Sequence, residues 1–492
     1  MATEIELKLS LSPAAAKALR QHPLLADVEP VTHVLLNTYY DTPELDLRRQ
    51  KIALRFRNRG WEWLLTVKSA EPSSGGLARR SEWEIPAIPG AWTFGHVDDG
   101  DLRLCLEAAA HRLEPVFTTN FRRTAWTVDY GNSRIEVALD RGRIESQDRR
   151  EALCEVELEL ISGEVGDLFG FARELLAALP LRPSVASKAE RGYRLYTAAP
   201  EQPFKSRAPA LDPELSPIGA FREIAYSCLE QLQRNEPGIL GQPDPEYVHQ
   251  ARVALRRLRS AIKVFAPILP EAFVSIWGSA WRALAGALGD ARNWDVFVAE
   301  TLPPILTAFP DDRTSLRLDA AGRANAAHAR TTLKRLLALP EYPRLVLEFT
   351  AAVFELDDCE TPGSLAGFAR DSLAHRARRA ARLARAHASL SDIQRHALRI
   401  RFKKLRYTLE FFASLLPARR LRPYAAALAQ LQDELGLIND HVTAIDLVSR
   451  LPDKYRSGPV LGWLSGRHAL LLAQLPEALD TWLAQPAPWK RK

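Results

Sequence analysis

The stretch Glu4-Ile5-Glu6-Leu7-Lys8 near the N-terminus alternates charged and apolar side chains. In a β-strand, side chains two residues apart share a face, so the three charged residues lie on one face and the two apolar residues on the other. This period of two predicts a strand with one apolar and one charged face. An antiparallel sheet with a charged solvent face accounts for any single strand of this kind.

The same alternation recurs along the first third of the chain. Its charged positions separate into acid-rich and base-rich sets, whereas a solvent face usually mixes Ser, Thr and Gln with its charges. Clustered carboxylates attract a hard divalent cation such as Mg2+ or Mn2+. Clustered Arg and Lys attract an anion with several charges, and guanidinium pairs well with phosphate. The pattern therefore favours a site for a metal-bound polyphosphate. The runs are residues 4–9, 53–59, 63–68, 81–85, 124–128, 134–140 and 155–160.

A proline-rich stretch at residues 197–217 separates this part from the rest of the chain. After it, Ala, Leu and Arg recur at intervals of three and four residues, which is the period of helices. The predicted fold is a two-domain α+β protein, with a β-rich first domain and an all-α second domain. We predict these domains at residues 1–198 and 217–492, joined by a linker at residues 199–216.

The helical half repeats itself. The sequence HQARVALRRLRSAIKVF at residues 249–265 matches HALRIRFKKLRYTLEFF at residues 396–412, an offset of 147 residues. The pair Leu288-Gly289 maps onto Leu435-Gly436 with the same offset. These matches predict one bundle made of two pseudo-symmetric repeats, at about residues 217–350 and 364–490.

Charge is distributed unevenly between the two halves. Residues 1–200 carry 26 Lys and Arg against 29 Asp and Glu, net −3, while residues 201–492 carry 40 against 31, net +9. A basic domain indicates a polyanionic partner such as nucleic acid, an acidic membrane or a phosphate polymer. The sequence has no recognition-helix or stacking-platform signature, which disfavours nucleic acid. It has no apolar run of about 18 residues, which disfavours a membrane span, and its four dispersed cysteines fit a cytoplasmic protein.

Basic residues form a stripe on one helix of each repeat. They recur three or four residues apart, and an apolar stripe runs about 100° away around the helix. An amphipathic helix with a solvent-exposed basic face shows the same pattern. Solvent exposure alone, however, does not require the same spacing in both repeats. The stripe consists of His249, Arg252, Arg256, Arg259 and Lys263 in the first repeat, and of His396, Arg399, Lys403 and Arg406 in the second.

The ordered motifs of the first half resemble those of the CYTH, or triphosphate tunnel metalloenzyme, family. The resemblance covers about residues 1–196 and implies an eight-stranded antiparallel β-tunnel with flanking helices, which binds triphosphate compounds and a divalent metal. The motifs are Glu4-Ile5-Glu6-Leu7-Lys8, Tyr39-Tyr40-Asp41-Thr42-Pro43, Leu54-Arg55-Phe56-Arg57, Ala138-Leu139-Asp140, Cys154-Glu155-Val156-Glu157 and Ser187-Lys188-Ala189-Glu190-Arg191-Gly192-Tyr193.

The same resemblance implies roles for individual residues. Glu4, Glu6 and Lys8 are the expected catalytic residues. Arg122 and Arg123 are both possible bases, and the spacing to Trp126 favours Arg123. The metal ligands implied are Glu4, Glu6, Glu82, Asp140, Glu155 and Glu157. The phosphate-binding residues implied are Lys8, Arg55, Arg57, Lys68, Arg80, Arg123 and Lys188. Three more acids share the strand parity without matching the family, namely Glu84, Glu136 and Glu159.

The second half resembles the CHAD family over about residues 210–490. This resemblance implies that the nine stripe residues bind inorganic polyphosphate. The whole chain resembles inorganic triphosphatases of the CYTH-CHAD type, which implies Mg2+- or Mn2+-dependent hydrolysis of inorganic tripolyphosphate to diphosphate and phosphate, in the cytoplasm or at polyphosphate granules. Relatives of the tunnel include adenylate cyclases and thiamine triphosphatases, so these activities are alternatives. A polyphosphate-binding scaffold without catalysis is a third.

Overall fold

The fold is a β-rich unit followed by a helical unit. The computed structural model describes residues 2–70, 75–358, 363–387, 390 and 392–490, apart from the side chains of residues 2, 3, 70, 79, 80, 392 and 393. The strands are β1 Ala2–Ser10, β2 Val31–Asp41, β3 Ile52–Arg59, β4 Glu62–Ala70, β5 Leu77–Pro86, β6 Glu114–Tyr130, β7 Ser133–Ser146, β8 Arg149–Ser162 and β9 Arg182–Pro183. The helices are α1 Pro13–Leu19, α2 Asp46–Arg49, α3 Gly100–Ala109, α4 Val165–Ala178, α5 Lys188–Thr197, α6 Pro217–Gly241, α7 Pro245–Phe265, α8 Glu271–Ala280, α9 Arg282–Val296, α10 Leu302–Ala308, α11 Arg313–Ala338, α12 Glu341–Phe354, α13 Leu365–Ala384, α14 Asp392–Phe411, α15 Ala418–Ser449 and α16 Gly458–Leu483.

The strands of the first unit close into a tunnel. They are hydrogen-bonded in the order β5-β4-β3-β2-β6-β7-β8-β1, and β1 also pairs with β5. Every one of these pairs is antiparallel. The two-residue strand β9 adds to β1 at Leu9 and Ser10. This ring of eight strands confirms the predicted antiparallel tunnel.

The apolar faces of the strands point outwards and are covered by helices. On one side, Leu7, Val137 and Val156 pack against the apolar face of α4, which includes Phe169 and Leu175. On another side, apolar residues of β3 and β4 pack against α3 and the loop before it. Because adjacent side chains alternate across a strand, burying these residues outside turns the charged residues into the tunnel. The outer hydrophobic clusters therefore set the direction of the charged side chains.

The chain divides into two compact units with a boundary in the predicted linker. The first unit comprises residues 1–202 and 339–355, and the second comprises residues 203–338 and 356–492. Helix α12 follows α11 in sequence, yet Leu347 and Ala351 pack in the hydrophobic cluster around α4. Arg173 on α4 donates to Glu348 at 2.9 Å. The predicted helical domain at residues 217–492 includes this helix, because an amphipathic pattern predicts a helix without indicating which surface covers it.

In the helical unit, helices related by the 147-residue offset make similar contacts. The 147-residue offset maps α7 onto α14, and it also maps Phe221 of α6 onto Phe368 of α13. The equivalent rings Phe265 and Phe412 contact each other, with centroids 5.7 Å apart. Phe221 packs on Phe265 at 5.5 Å, and Phe368 packs on Phe412 at 6.1 Å. Matching residues thus make matching contacts around the centre of the bundle.

The described helices include none that combines the length and the hydropathy needed to cross a membrane.

Candidate active site and basic surface

A cluster of acids and bases lies inside the tunnel where β6, β7 and β8 run side by side. Register places Arg123 opposite Asp140, and Asp140 opposite Glu155. The Arg123 guanidinium donates to both Asp140 oxygens, at 2.8 and 2.7 Å, and to Glu157 at 2.6 Å. This bidentate pairing fixes the arginine in the tunnel. Arg122, by contrast, is exposed.

Lys188 completes this cluster from the first turn of α5. Its ammonium group lies 2.8 Å from Asp140, 2.5 Å from Glu155 and 2.9 Å from Glu157. The helix begins here because Ser187 and Glu190 form a capping box, which fixes the first residue of α5. Burial lowers the pKa of Lys188, but Asp140 and Glu155 raise it by more, so the net pKa is above its usual value. The lysine is therefore firmly charged.

The three acids of this cluster could hold a divalent cation. Asp140, Glu155 and Glu157 each offer a carboxylate oxygen, and these oxygens lie within 4.8 Å of one another. Burial raises the pKa of Glu157, but Lys188 and Lys8 lower it by more, so its net pKa is well below the usual range. A set of carboxylate oxygens at this spacing suits Mg2+ or Mn2+. We name these three residues the acid triad.

A second group of acids lies around β1, β4 and β5. Lys68 bridges Glu4 at 2.9 Å and Glu82 at 2.7 Å. On the next inward position of β1, Glu6 lies 3.7 Å from Lys8, whose ammonium group also lies 3.2 Å from Glu157. Lys8 thus connects the second group to the acid triad.

Two arginines of β3 line another part of the wall. Arg55 lies 3.5 Å from Glu82 and donates to the Tyr39 hydroxyl at 3.1 Å, while its buried Nε has no hydrogen-bond partner among the described residues. Burial and the charge of Arg55 lower the pKa of Arg57 to about 10. Buried like charges with spare donors favour an anionic ligand.

The predicted tunnel residues therefore form salt-bridged groups on the inner face of the tunnel. Of the thirteen predicted acids and bases, twelve have described side chains, and these contact at least one other member of the set or of its immediate neighbours. The thirteenth, Arg80, pairs with Glu4 in backbone register, but its side chain lies outside the described residues.

The three acids without a family match occupy different places. Glu84 is exposed, accepts from Thr66 at 2.7 Å and lies 3.6 Å from Arg57. Glu159 pairs with both Glu6 and Glu136 in register. Burial and the charges of Glu4 and Glu136 raise the pKa of Glu159 to about 7.

Several polar residues of the tunnel were not predicted. Asn37 accepts from Arg57 at 2.9 Å and donates to Thr119 at 2.9 Å. Arg191 lies one helical turn after Lys188 and contacts Glu155 at 3.2 Å. Two sequence patterns indicate these positions. Asn37 shares a strand face with Tyr39, and Arg191 follows Lys188 by three residues on the same helix face.

In the helical unit, four stripe residues form a compact basic cluster. Burial and the charges of Arg256 and Arg399 lower the pKa of Arg252 to about 10. Burial and the charges of Arg399, Arg256 and Arg252 lower the pKa of Lys403 to about 6. Arg256 also lies over the ring of Tyr407, 5.9 Å from its centroid. We name Arg252, Arg256, Arg399 and Lys403 the central basic cluster.

His249 borders this cluster, since Arg256 and Arg252 are among the charges that lower its pKa after burial and Arg292. The Nε atoms of Arg256, Arg259 and Arg399 are buried without a hydrogen-bond partner among the described residues. Such donors are expected to bind an acceptor from outside the protein.

Three stripe residues have other surroundings. Arg406 donates to Glu410 at 2.6 Å, so its charge is already paired. His396 is exposed. Lys263 lies beside Lys404 instead of the central basic cluster, as its effect on the pKa of Lys404 indicates. Helical spacing alone could not distinguish these positions, because the difference comes from neighbouring helices.

Known proteins resemble each part of the chain. The model of the CYTH domain matches residues 2–193, and the model of the CHAD domain matches residues 223–449. An inorganic triphosphatase from Haemophilus influenzae is 39% identical over 198 residues, which cover 40% of this chain and 55% of that protein. The chain therefore matches only about half the length of this curated relative.

The crystal structure of the CHAD domain from the plant Ricinus communis is also similar, with 34% sequence identity and a TM-score of 0.52. The match covers 59% of this chain and 99% of the plant chain. Together with the closed tunnel, the acid triad and the repeated helical unit, these matches show that the chain carries a CYTH domain at residues 2–193, followed by a domain that belongs to the CHAD family at residues 223–449.

Proposed function

We propose that the tunnel hydrolyses inorganic tripolyphosphate to diphosphate and phosphate, with Mg2+ or Mn2+. The observation that carries this proposal is the meeting of an acid triad with Arg123, Lys188 and Lys8 inside one closed tunnel. Phosphoryl transfer needs positioning and charge stabilisation more than covalent chemistry from the protein, and such a network supplies both. The name of the Haemophilus influenzae relative supports the same reaction class.

The acid triad fits a divalent cation by donor type and spacing. Glu4, Glu6 and Glu82 are a second candidate set of ligands. A bound cation would neutralise phosphate charge and favour a nucleophilic water. The protein's own part is to hold the phosphate chain: Arg55 and Arg57 present guanidinium donors from one wall, and Arg123 presents them from another.

Lys188 is proposed to act in the site both without and with a bound cation. In the structure its ammonium group contacts all three acids of the triad. A cation bound to the triad would replace that ammonium as the counter-charge, and the ammonium would then be available to phosphate oxygens. Lys8, which lies between Glu6 and Glu157, would act in the same way.

The helical unit is proposed to bind inorganic polyphosphate at the central basic cluster. The cluster carries charges close enough to lower one another's pKa, as the lowered values of Arg252 and Lys403 indicate. A phosphate polymer offers a repeated negative charge and acceptors for the buried guanidinium donors. Such binding would place the enzyme at polyphosphate granules in the cytoplasm.

The test is phosphate release from tripolyphosphate, ATP and thiamine triphosphate, each with and without Mg2+ or Mn2+, with the ATP reaction checked for cyclic AMP. Strong metal-dependent release from tripolyphosphate is the expected result. Faster turnover of ATP or thiamine triphosphate would assign the tunnel to another triphosphate, and cyclic AMP would identify a cyclase. Polyphosphate binding without turnover of any compound would identify a scaffold protein.

A further inference from the structure

A second basic site lies on a different face of α14 from the central basic cluster. Arg401 and Lys404 are about 100° or more around the helix from Arg399 and Lys403. They line a cavity of about 830 Å³ between α7, α13 and α14. Its basic lining residues are Lys263, His375, Arg376, Arg379, Arg401 and Lys404.

The repeat offers an internal comparison for this cavity. The 147-residue offset that maps α7 onto α14 maps α6 onto α13. On α6 the positions equivalent to the cavity wall are buried and apolar, and on α13 they are polar or basic and line an open space. In order, Ile224, Cys228, Leu229 and Leu232 correspond to Asp371, His375, Arg376 and Arg379.

Helices α7 and α14 differ in the same way. Arg257 of α7 is 3% exposed and donates to the Gln231 side chain at 2.9 Å. Its equivalent on α14 is Lys404, which is exposed and lines the cavity. The first repeat is therefore closed by apolar packing and by one buried arginine bonded to a glutamine side chain, whereas the second repeat keeps several basic residues around a concave space at the same place. Packing of the bundle does not require this concentration of charge, because the first repeat has a single basic residue, Arg257, at the equivalent positions.

The positive charge in the cavity is not neutralised by described acids. The one acidic lining residue, Asp371, lies 3.8 Å from Arg370, which is outside the cavity lining. None of Lys263, Arg379 and Lys404 has an ion pair within the part of the chain that the structure describes. Burial, followed by the charges of Lys263 and Arg379, lowers the pKa of Lys404. An anion with several charges would relieve this repulsion.

Apolar side chains in the cavity wall indicate which class of anion the cavity would bind. Val264, Phe368 and Ile400 line the same cavity, and Ile400 is 37% exposed. Inorganic polyphosphate has no group to place against them. The volume lies within the range of sites for small organic ligands, about 300–1,000 Å³.

We propose that the cavity between α7, α13 and α14 binds a small organic polyphosphate of the size of a nucleoside triphosphate. Its phosphates would contact Arg379, Arg401 and Lys404, and its ring would lie against Ile400. This site is separate from the tunnel and from the central basic cluster, so it stands whether or not the proposed hydrolysis is correct.

A site-resolved protection experiment tests the proposal in the full chain. The uncharged reagent N-hydroxysuccinimidyl acetate acetylates accessible lysines, and peptide mass spectrometry measures the acetylation of Lys404 and Lys263 separately from that of the tunnel lysines. ATP is the probe, and tripolyphosphate is the control for charge alone. We expect ATP to lower acetylation of Lys404 and Lys263 by about fivefold or more, and tripolyphosphate by less than about twofold, since only ATP also fills the apolar wall.

Matched variants decide whether protection arises in the cavity. Arg379→Gln with Arg401→Gln should abolish protection by ATP. Arg378→Gln with Arg385→Gln removes two charges from the same region outside the cavity lining and should keep it. Circular dichroism melting would verify that both proteins are folded. Equal protection by tripolyphosphate would overturn the organic ligand, and no protection by either compound would overturn the site.

Discussion

Lys188 Nζ lies 2.8 Å from Asp140 Oδ2, which joins the start of α5 to the middle of β7 inside the tunnel. Asp140 is fully buried and is shared with Arg123. Buried charges of this kind are stable only when they are paired. In the proposed catalytic state a cation would take over part of the pairing, so stability and metal binding should be coupled at this position.

Replacing Lys188 by Gln should destabilise the first unit in the absence of metal. In the variant, the negative charges of Asp140 and Glu155 lose one positive partner. We therefore expect the free energy of unfolding to fall by on the order of 3 kcal/mol. Added Mg2+ should raise Tm more in the variant than in the wild type, because the triad then binds a cation without competition from the ammonium. Thermal unfolding with EDTA and with Mg2+ measures both effects. Lys17→Gln, at an exposed position of α1, is the control, and equal responses to Mg2+ in the variant and the wild type would contradict the coupling.

Replacing Glu4 and Glu6 together by Gln should abolish metal-dependent turnover. Both carboxylates contact lysines in the tunnel, and their loss removes a candidate set of metal ligands. We expect phosphate release to fall by at least about a hundredfold, the scale seen when a charge-stabilising group is removed. Polyphosphate binding by the full chain should be unchanged. Glu107→Gln on the exposed face of α3 should retain activity, and full activity in the double variant would disprove the tunnel mechanism.

Arg399 and Arg406 should differ in their importance for polyphosphate. Arg399 belongs to the central basic cluster, and its buried Nε has no hydrogen-bond partner among the described residues, whereas Arg406 is paired with Glu410 at 2.6 Å. Arg399→Gln should weaken polyphosphate binding about tenfold, and Arg406→Gln by less than about threefold, since a charge already paired gains less from a new anion. Titrations at several salt concentrations measure both affinities and their salt dependence. Equal losses would show that the whole stripe contributes uniformly, as its spacing alone predicts.

Sequence patterns predicted the architecture better than the surroundings of individual charges. The alternation of Glu4, Glu6 and Lys8 predicts a strand with a charged face, and the closed tunnel follows from the family resemblance and is confirmed. Which acid each base contacts depends on strand register across the tunnel, as in the pairing of Arg123 with Asp140, and a single strand carries no information about it.

Helical spacing likewise does not predict the surroundings of individual charged residues. It places Lys263 and Arg256 on one stripe, but Lys263 lies next to α13 and Arg256 lies next to Tyr407 of α14. The difference arises from packing between helices that are distant in sequence. Gly192 is another case, since only the structure shows that it lies against the Phe117 ring.

Gly192→Ala should reduce activity by displacing Lys188. A Cβ at this position would meet the Phe117 ring at 2.1 Å, so α5 must move away from β6. We expect a loss of stability of about 1–3 kcal/mol from overpacking, together with lower turnover because the Lys188 ammonium moves away from the triad. Gly166→Ala on α4 is the matched control, because no atom lies within 4 Å of its added Cβ. Unchanged stability and turnover in Gly192→Ala would show that the position of α5 does not depend on this contact.

Polyphosphate binding should weaken as pH rises from about 6, because Lys403 loses its proton. Burial and three neighbouring arginines lower the pKa of Lys403 to about 6, so the lysine is largely neutral in the free protein at neutral pH. A bound polyanion favours the charged form, so binding should take up a proton, and affinity should fall as pH increases between about 6 and 9. The same shift makes folding stability rise with pH above about 6, since the unfolded chain holds the Lys403 proton up to its ordinary pKa of about 10.4.

The Lys403→Arg variant tests whether the pH dependence of polyphosphate binding arises from deprotonation of Lys403. Arginine keeps the positive charge across the whole range, so the variant should bind polyphosphate at pH 8 at least as well as the wild type and should lose most of the pH dependence above about 6. Calorimetric titration in buffers of different ionisation enthalpy measures the proton uptake directly. Lys334→Arg on α11 should behave like the wild type, because Lys334 instead donates to the Leu240 carbonyl at 3.0 Å. Proton uptake of the same size in Lys403→Arg and the wild type would assign the titration to another group, with His249, which borders the cluster, as the next residue to replace.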